Sequence, residues 1–165
     1  MLELVHSLSE LNISQLKLVY EEGIQTCADS CYRGMHENLR ILNAEQDFYA
    51  DLSAFFCVDG AVFALWSVDG HYVSGIRIEP VVDGYLLTSF ETLPVMRGRG
   101  LGKKLLRAVT DHLMQTGKCK IYSHVNENNL PSLNVHLFCG FKSTGMSAVF
   151  VDGSVHENHV TYVYE

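Results

Sequence analysis

The chain has 165 residues, a length that suits one domain burying about two-thirds of its unfolded surface. Its 47% hydrophobic and 19% charged residues are an ordinary globular composition, and a formal charge of −7 argues against nucleic acid as a main partner, since that binding uses a basic patch. The opening MLELVHSLSELN carries acidic residues early and no long apolar run, which reads as neither a signal peptide nor a membrane span; no membrane partner and a cytoplasmic protein are expected. Cys27, Cys31, Cys57, Cys119 and Cys139 are odd in number and contain no C-x-x-C pair, as expected of reduced thiols.

In chain order, LELVH (2–6) reads as a short strand. Asn12 or Ser14 caps a helix carrying Leu16, Leu18, Val19 and Ile24, which breaks between Ala28 and Gly34. A second helical pattern runs from about Met35 to Phe55 with Leu39, Leu42, Phe48, Leu52 and Phe55 near its apolar side. Asp59-Gly60, Asp69-Gly70 and Asp83-Gly84 are turn dipeptides separating AVFALWSV, HYVSGIRIEPVV and YLLTSF, so three antiparallel strands are expected, with Pro80 at a bulge or an unpaired edge.

The next stretch, PVMRGRGLG (94–102), leads from strand into a helix whose Leu101, Leu105, Leu106, Val109 and Leu113 share one face and which ends at Gly117. Alternating glycines allow a backbone to approach a ligand closely and to aim successive N–H groups the same way. The helix start adds free donors and the positive end of its dipole. With Arg97, Arg99, Lys103 and Lys104 beside them, these features describe a receptor for phosphate oxygens. The spacing excludes a Walker loop, which has four residues between glycines, and a dinucleotide fingerprint, whose third glycine would come one residue later.

CKIYSHV (119–125) reads as a strand reached by a right-handed parallel crossover. After the polar Asn126–Asn129 loop, Pro131 opens a helix that closes at Gly140, and the final segment gives a hairpin at Asp152-Gly153. The terminal HVTYVYE suits either an exposed edge pairing across a homodimer or an internal strand. His156 and His159 are spaced H-x-x-H, which in a regular strand points them to opposite faces, so no metal site is expected.

The R-x-x-G-x-G pattern at Arg97, Gly100 and Gly102 resembles the GCN5-related N-acetyltransferase (GNAT) family, whose signature binds the pyrophosphate of acetyl-coenzyme A. A second match supports the resemblance: Asn129, Ser132, Gly140 and Phe141 keep the spacing of the family's N-x-x-A/S-x-x-x-Y-x-x-x-G-F. The resemblance implies one α/β (α+β) domain over 1–165, with a mixed, mostly antiparallel sheet of about seven strands, helices on both faces and a splayed parallel pair at the acetyl-coenzyme A site. It implies cofactor contacts at Phe90, Glu91, Thr92, Arg97, Gly98, Arg99, Gly100, Leu101, Gly102, Lys103, Asn129 and Ser132, with an oxyanion donor on the strand before the loop. The front helices would cover the acceptor, making Tyr32, His36, Asn38, Arg40 and Tyr49 candidate contacts.

Where the family places the tyrosine that protonates the leaving thiolate, this chain has His136, either a general acid or a histidine packed beside the cofactor. Tyr122, Tyr162 and Tyr164 are the substitute phenols. Attack requires a deprotonated amine, and the candidates for the base are Glu91, His124 or no dedicated group. Transfer is direct, without a cysteine nucleophile, and Cys139 reads as a buried structural thiol. The expected activity is acetyl-coenzyme A-dependent acetylation of a primary amine on a small molecule or a protein. Rival readings are another acyl group, a hydroxyl acceptor, or a coenzyme A-binding regulatory module without turnover.

Overall fold

A computed structural model describes residues 1–115, 117, 120–150 and 153–165, with only the backbone of Glu157. The elements are β1 (Leu2–Val5), α1 (Ile13–Val19), α2 (Glu21–Cys31), α3 (Glu37–Phe55), β2 (Val62–Val68), β3 (His71–Val81), β4 (Gly84–Thr92), α4 (Leu101–Gln115), β5 (Lys120–Asn126), α5 (Leu130–Phe138), β6 (Lys142–Val149) and β7 (Val155–Tyr164). The seven strands form one mixed sheet in the order β1-β2-β3-β4-β5-β7-β6. All pairs are antiparallel except β4 with β5, the pair joined through α4.

Strand alternation feeds two cores. Phe63 and Leu65 face α1, α2 and α3 together with Leu16, Leu52 and Phe55, whereas Ala64, Ile76 and Ile78 face α4 with Leu105, Leu106 and Val109. Helices therefore cover both faces of the sheet. The β2–β3 hairpin turns through Asp69 and Gly70, both at positive φ, as a tight turn of this kind requires.

Several expectations change. The front helix divides at Tyr20 into α1 and α2, and its cap is Asn12, whose side chain accepts from the Gln15 N–H at 3.1 Å. Leu39 and Leu42 of α3 are 53% and 48% exposed, and Leu18 is exposed too. Leu52 and Phe55 are buried as expected and Phe48 packs against them, but Ala44 rather than Leu39 or Leu42 completes the buried face of α3. The turn after β3 uses Val82 and Asp83, while Gly84 already belongs to β4. A Cβ there would lie 1.8 Å from the Lys120 carbonyl oxygen, so glycine permits the close approach of β5. Pairing of β3 with β2 stops at Ile78, leaving Pro80 beyond the end of that neighbour. Strand β7 is internal, between β5 and β6, and β6 is the edge. Thr116, Cys119 and Asp152, which the sequence reading placed at a helix end, a strand start and a turn, lie outside the described residues.

Two irregularities open the sheet. Strands β4 and β5 pair only from Gly84–Leu87 with Lys120–Ser123, yet both continue further and so diverge. In β4, the step from Thr88 to Glu91 opposes only Arg77 to Gly75 of β3, a bulge with Ser89 at φ 49. The buried Tyr20 donates its hydroxyl to the Ser89 carbonyl at 2.5 Å, tying the bulge to the α1–α2 junction.

Candidate active site

The divergence of β4 and β5 leads directly to the glycine loop. A 3-10 turn at Pro94–Met96 precedes it, and the Arg97 N–H donates back to Pro94 O at 3.2 Å. Gly98 and Gly100 then take φ of 75 and 74, the left-handed region where a side chain is strained. Lys104 makes the first helical bond of α4, to Gly100 O at 3.1 Å. Among the described residues, no acceptor takes the backbone N–H groups of Gly98 through Lys103. Those donors sit at the positive end of a 15-residue helix. At Gly102 a Cβ would stand 3.1 Å from Phe90 Cζ and Thr92 Oγ1, so glycine lets the helix start press against β4.

The loop forms one wall of a cleft of about 600 Å³. Phe90, Glu91, Thr92, Arg97, Gly98, Gly100, Leu101, Gly102, Lys103, Asn129 and Ser132 border it, joined by Glu22, Pro131, Asn134 and Val135. The sequence-expected contacts thus lie together except for Arg99, which is exposed beside the cleft rather than in its wall. Asn129 caps α5, accepting from Ser132 N–H at 3.1 Å.

Arg97 is engaged by carboxylates. Its guanidinium donates to Glu22 Oε2 at 2.7 Å, to Glu91 Oε2 at 3.3 Å and to Thr92 O at 3.0 Å. Glu22 lies on α2, so this arginine joins the front helices to the loop. No local signal in the sequence links residues 22 and 97, which is why Glu22 was missed. Burial raises the Glu91 pKa above the usual carboxylate range, Arg97 opposes the rise and Glu22 adds to it.

The two histidines are placed differently. His136 is 1% exposed and does not border the cleft. Its Nδ1–H donates to Ser132 O at 2.8 Å, because a carbonyl only accepts, and Nε2 then accepts from the Ser123 hydroxyl at 2.9 Å. Phe90, Phe141 and Tyr162 surround the ring, and burial lowers its pKa. His124 also lies away from the cleft wall. Its Nε2–H donates to Val149 O at 3.0 Å, Nδ1 faces Thr161 Oγ1 at 3.2 Å, and burial lowers this pKa as well.

The Tyr122 hydroxyl donates to Asp83 at 2.8 Å and its pKa is pushed up to about 12, first by burial and then by that carboxylate. Tyr162 packs in the core and Tyr164 against Phe141. Cys139 is buried, its thiol pKa raised by burial. Of the candidate acceptor contacts, none borders the cleft: Tyr32 donates to Asp47, Arg40 pairs with Asp29, and His36, Asn38 and Tyr49 are exposed. Asp47 belongs to a smaller recess of about 200 Å³ that shares the first turn of α2 with the cleft. The H-x-x-H pair does not split across the sheet. Asn158 at φ 66 breaks the alternation, and the rings of His156 and His159 are 5.7 Å apart beside Phe150.

A mixed sheet opened at its parallel pair, with an anion-ready helix start beside the opening, can seat an extended anionic ligand. The profile of the acetyltransferase (GNAT) family matches residues 27–141, and the chain belongs to that family. It is 27% identical to the spermine/spermidine N(1)-acetyltransferase of Bacillus subtilis (strain 168) over 137 residues, 82% of this chain and 80% of that protein. Against the aminoglycoside N(6')-acetyltransferase type 1 of Salmonella enteritidis it is 28% identical over 138 residues, 81% of this chain and 93% of that protein. Among solved structures, PaiA N-acetyltransferase of Thermoplasma acidophilum in complex with coenzyme A superposes with a TM-score of 0.61 at 16% identity, covering 99% of this chain and 98% of that one.

Proposed function

We propose that the protein transfers an acetyl group from acetyl-coenzyme A to a primary amine of a small, multiply cationic acceptor. The observation that carries this reading is the run of unclaimed N–H donors from Gly98 to Lys103, opening on the gap between β4 and β5. The residues fit a pyrophosphate: left-handed glycines shape the turn, no side chain fills the hollow above Gly98 or Gly100, and the α4 dipole adds positive potential. When bound, acetyl-coenzyme A supplies an activated thioester. Gly98, Gly100, Leu101, Gly102 and Lys103 would hold its phosphates, Asn129 and Ser132 would flank the arm, and the β4 backbone next to the bulge, at Phe90 and Glu91, would lie beside the acyl group, where an N–H could stabilise its carbonyl oxygen.

Glu91 is the candidate base, because it combines a place in the cleft with a raised pKa. It takes a proton from the acceptor ammonium, directly or through water, while Arg97 orients the carboxylate. His136 serves from beneath: its buried ring fixes Phe90 and the first turn of α5. The polycationic acceptor is supported by the carboxylates of Glu22 and Glu91, which border the cleft and share one guanidinium, and by the charge of −7. Spermine, spermidine and aminoglycosides, named for the two relatives, share that chemistry.

The test is a thiol-release assay with acetyl-coenzyme A against linear polyamines, aminoglycosides, amino acids and neutral alcohols. Turnover confined to multiply charged amines supports the reading. Release only with alcohols or neutral amines overturns it.

A further inference from the structure

The hydrogen bonds around the buried His136 ring run in one direction, and they end at the cleft. Nε2 lies 2.9 Å from the Ser123 hydroxyl, whose competing acceptor, the Leu87 carbonyl, is at 3.5 Å. The Ser123 proton therefore goes to Nε2, and the ring carries its own proton on Nδ1. Nδ1 in turn lies 2.8 Å from Ser132 O and 3.4 Å from Ser132 Oγ. One N–H serves both oxygens, so the Ser132 hydroxyl accepts from the ring and its hydrogen is left over.

Ser132 is the third residue of α5 and borders the cleft. Its backbone N–H is taken by the Asn129 side chain at 3.1 Å, and among the described residues its hydroxyl has no partner besides His136. The other hydroxyl bordering the cleft, among the described residues, is that of Thr92. Its hydrogen is committed: Ser74 Oγ donates to Glu91 O at 2.6 Å, which leaves Thr92 Oγ1 to donate to Ser74 at 3.0 Å. Ser132 alone thus offers the cleft an unclaimed side-chain O–H, polarised from behind by an imidazole N–H and set in the first turn of a helix, where the dipole favours negative charge.

We propose that Ser132 is a catalytic residue of the transfer, its O–H donating to the sulfur of the departing coenzyme A thiolate, with His136 and Ser123 as the positioning residues that aim it. The inference rests on the acetyl-coenzyme A reading above. As the carbon–sulfur bond breaks, its electron pair stays on sulfur, and a hydroxyl donor stabilises that charge. Ser132 keeps its own proton throughout, and water protonates the thiolate after release.

The ionisation of bound coenzyme A tests this without turnover, followed by the ultraviolet absorbance of the thiolate against the complex with desulfo-coenzyme A. Bound to wild type, the thiol is expected to ionise about one pH unit below free coenzyme A, about a tenfold preference for the thiolate. Ser132→Ala should return ionisation to the free value and lower kcat on the order of a hundredfold, with affinity for the thiol form changed by less than about twofold. Ser132→Thr should preserve both properties. Ser123→Ala, which removes the donor that fixes the tautomer of His136, should fall between wild type and Ser132→Ala. Unshifted ionisation in wild type, or a shift that survives in Ser132→Ala, would overturn the role of Ser132 and leave the acetyl-coenzyme A reading standing. Failure of wild type to bind coenzyme A would overturn both.

Discussion

Gly100 shapes the proposed anion site by what it lacks. Its φ of 74 strains any side chain, and nothing lies within 4 Å of where a Cβ would project, so a carboxylate placed there enters the hollow above the free N–H groups. Gly100→Asp is expected to weaken coenzyme A binding on the order of a hundredfold by titration, since it puts a like charge against a phosphate and adds backbone strain of about 1–2 kcal/mol. The thermal midpoint should fall only by a few degrees, about what that strain produces in a chain of this size. Glu91, the proposed base, poses the complementary question, because a base works only when deprotonated. Its pKa is raised by burial and by Glu22 and held back by Arg97, with Tyr20 nearby and Lys103 also bordering the cleft. Turnover should therefore decline as pH falls through that raised value. Glu91→Gln is expected to lower kcat by about 10²- to 10⁴-fold and to flatten the acidic limb of the profile. A retained acidic limb in that variant would assign the limb to another group.

At the scale of elements, the bulge in β4 depends on the junction between α1 and α2. Tyr20→Phe removes the hydroxyl that satisfies the Ser89 carbonyl. A loss of about 1–2 kcal/mol in chemical denaturation is expected, together with slower turnover as the Phe90–Thr92 backbone relaxes. His136 makes a second, pH-dependent contribution. Its folded pKa is depressed, so the full stability is present above the unfolded value near 6.5 and is lost as pH falls below it, when the unfolded chain takes up the proton first. His136→Gln should flatten part of the decline in denaturant midpoint between about pH 7 and pH 5, leaving the share of the similarly buried His124. What the sequence revealed of these elements follows how local each signal is. The R-x-x-G-x-G loop is contiguous, and the turn dipeptides bracket their strands within a few residues, so element order and most of the residues that line the cleft could both be read. Glu22 meets Arg97 across 75 residues, and Tyr20 meets Ser89 across 69, through contacts only the assembled sheet creates. Leu39 and Leu42 look like core by composition but lie off the face that Ala44, Leu52 and Phe55 define. The inward turn of His136 depends on Ser123, a residue of another element.

Across the whole molecule, charge is distributed with a purpose the individual contacts do not show. A net −7 coexists with two cations, Lys103 and Arg107, on the Phe138 ring and with a carboxylate pair at Glu22 and Glu91 that shares the single guanidinium of Arg97. On the proposed reading, the two substrates would approach through fields of opposite sign, the anionic one drawn to the helix starts and the cationic one to the carboxylates. Salt acts on both, since the screening length is about 10 Å at 0.1 M, but acceptor charge can be varied while the acyl donor is held saturating. Under that condition kcat/KM for a linear triamine should fall severalfold between about 0.02 and 0.3 M salt, whereas for a monoamine of similar length it should change by less than about twofold. Glu22→Gln should reduce the slope for the triamine and leave the monoamine nearly unaffected. Equal slopes for the two amines in wild type would show that the acidic surface does not steer the acceptor. The selectivity would then have to come from the shape of the recess between α2 and α3, where Asp47 and Asp51 lie beside Phe48.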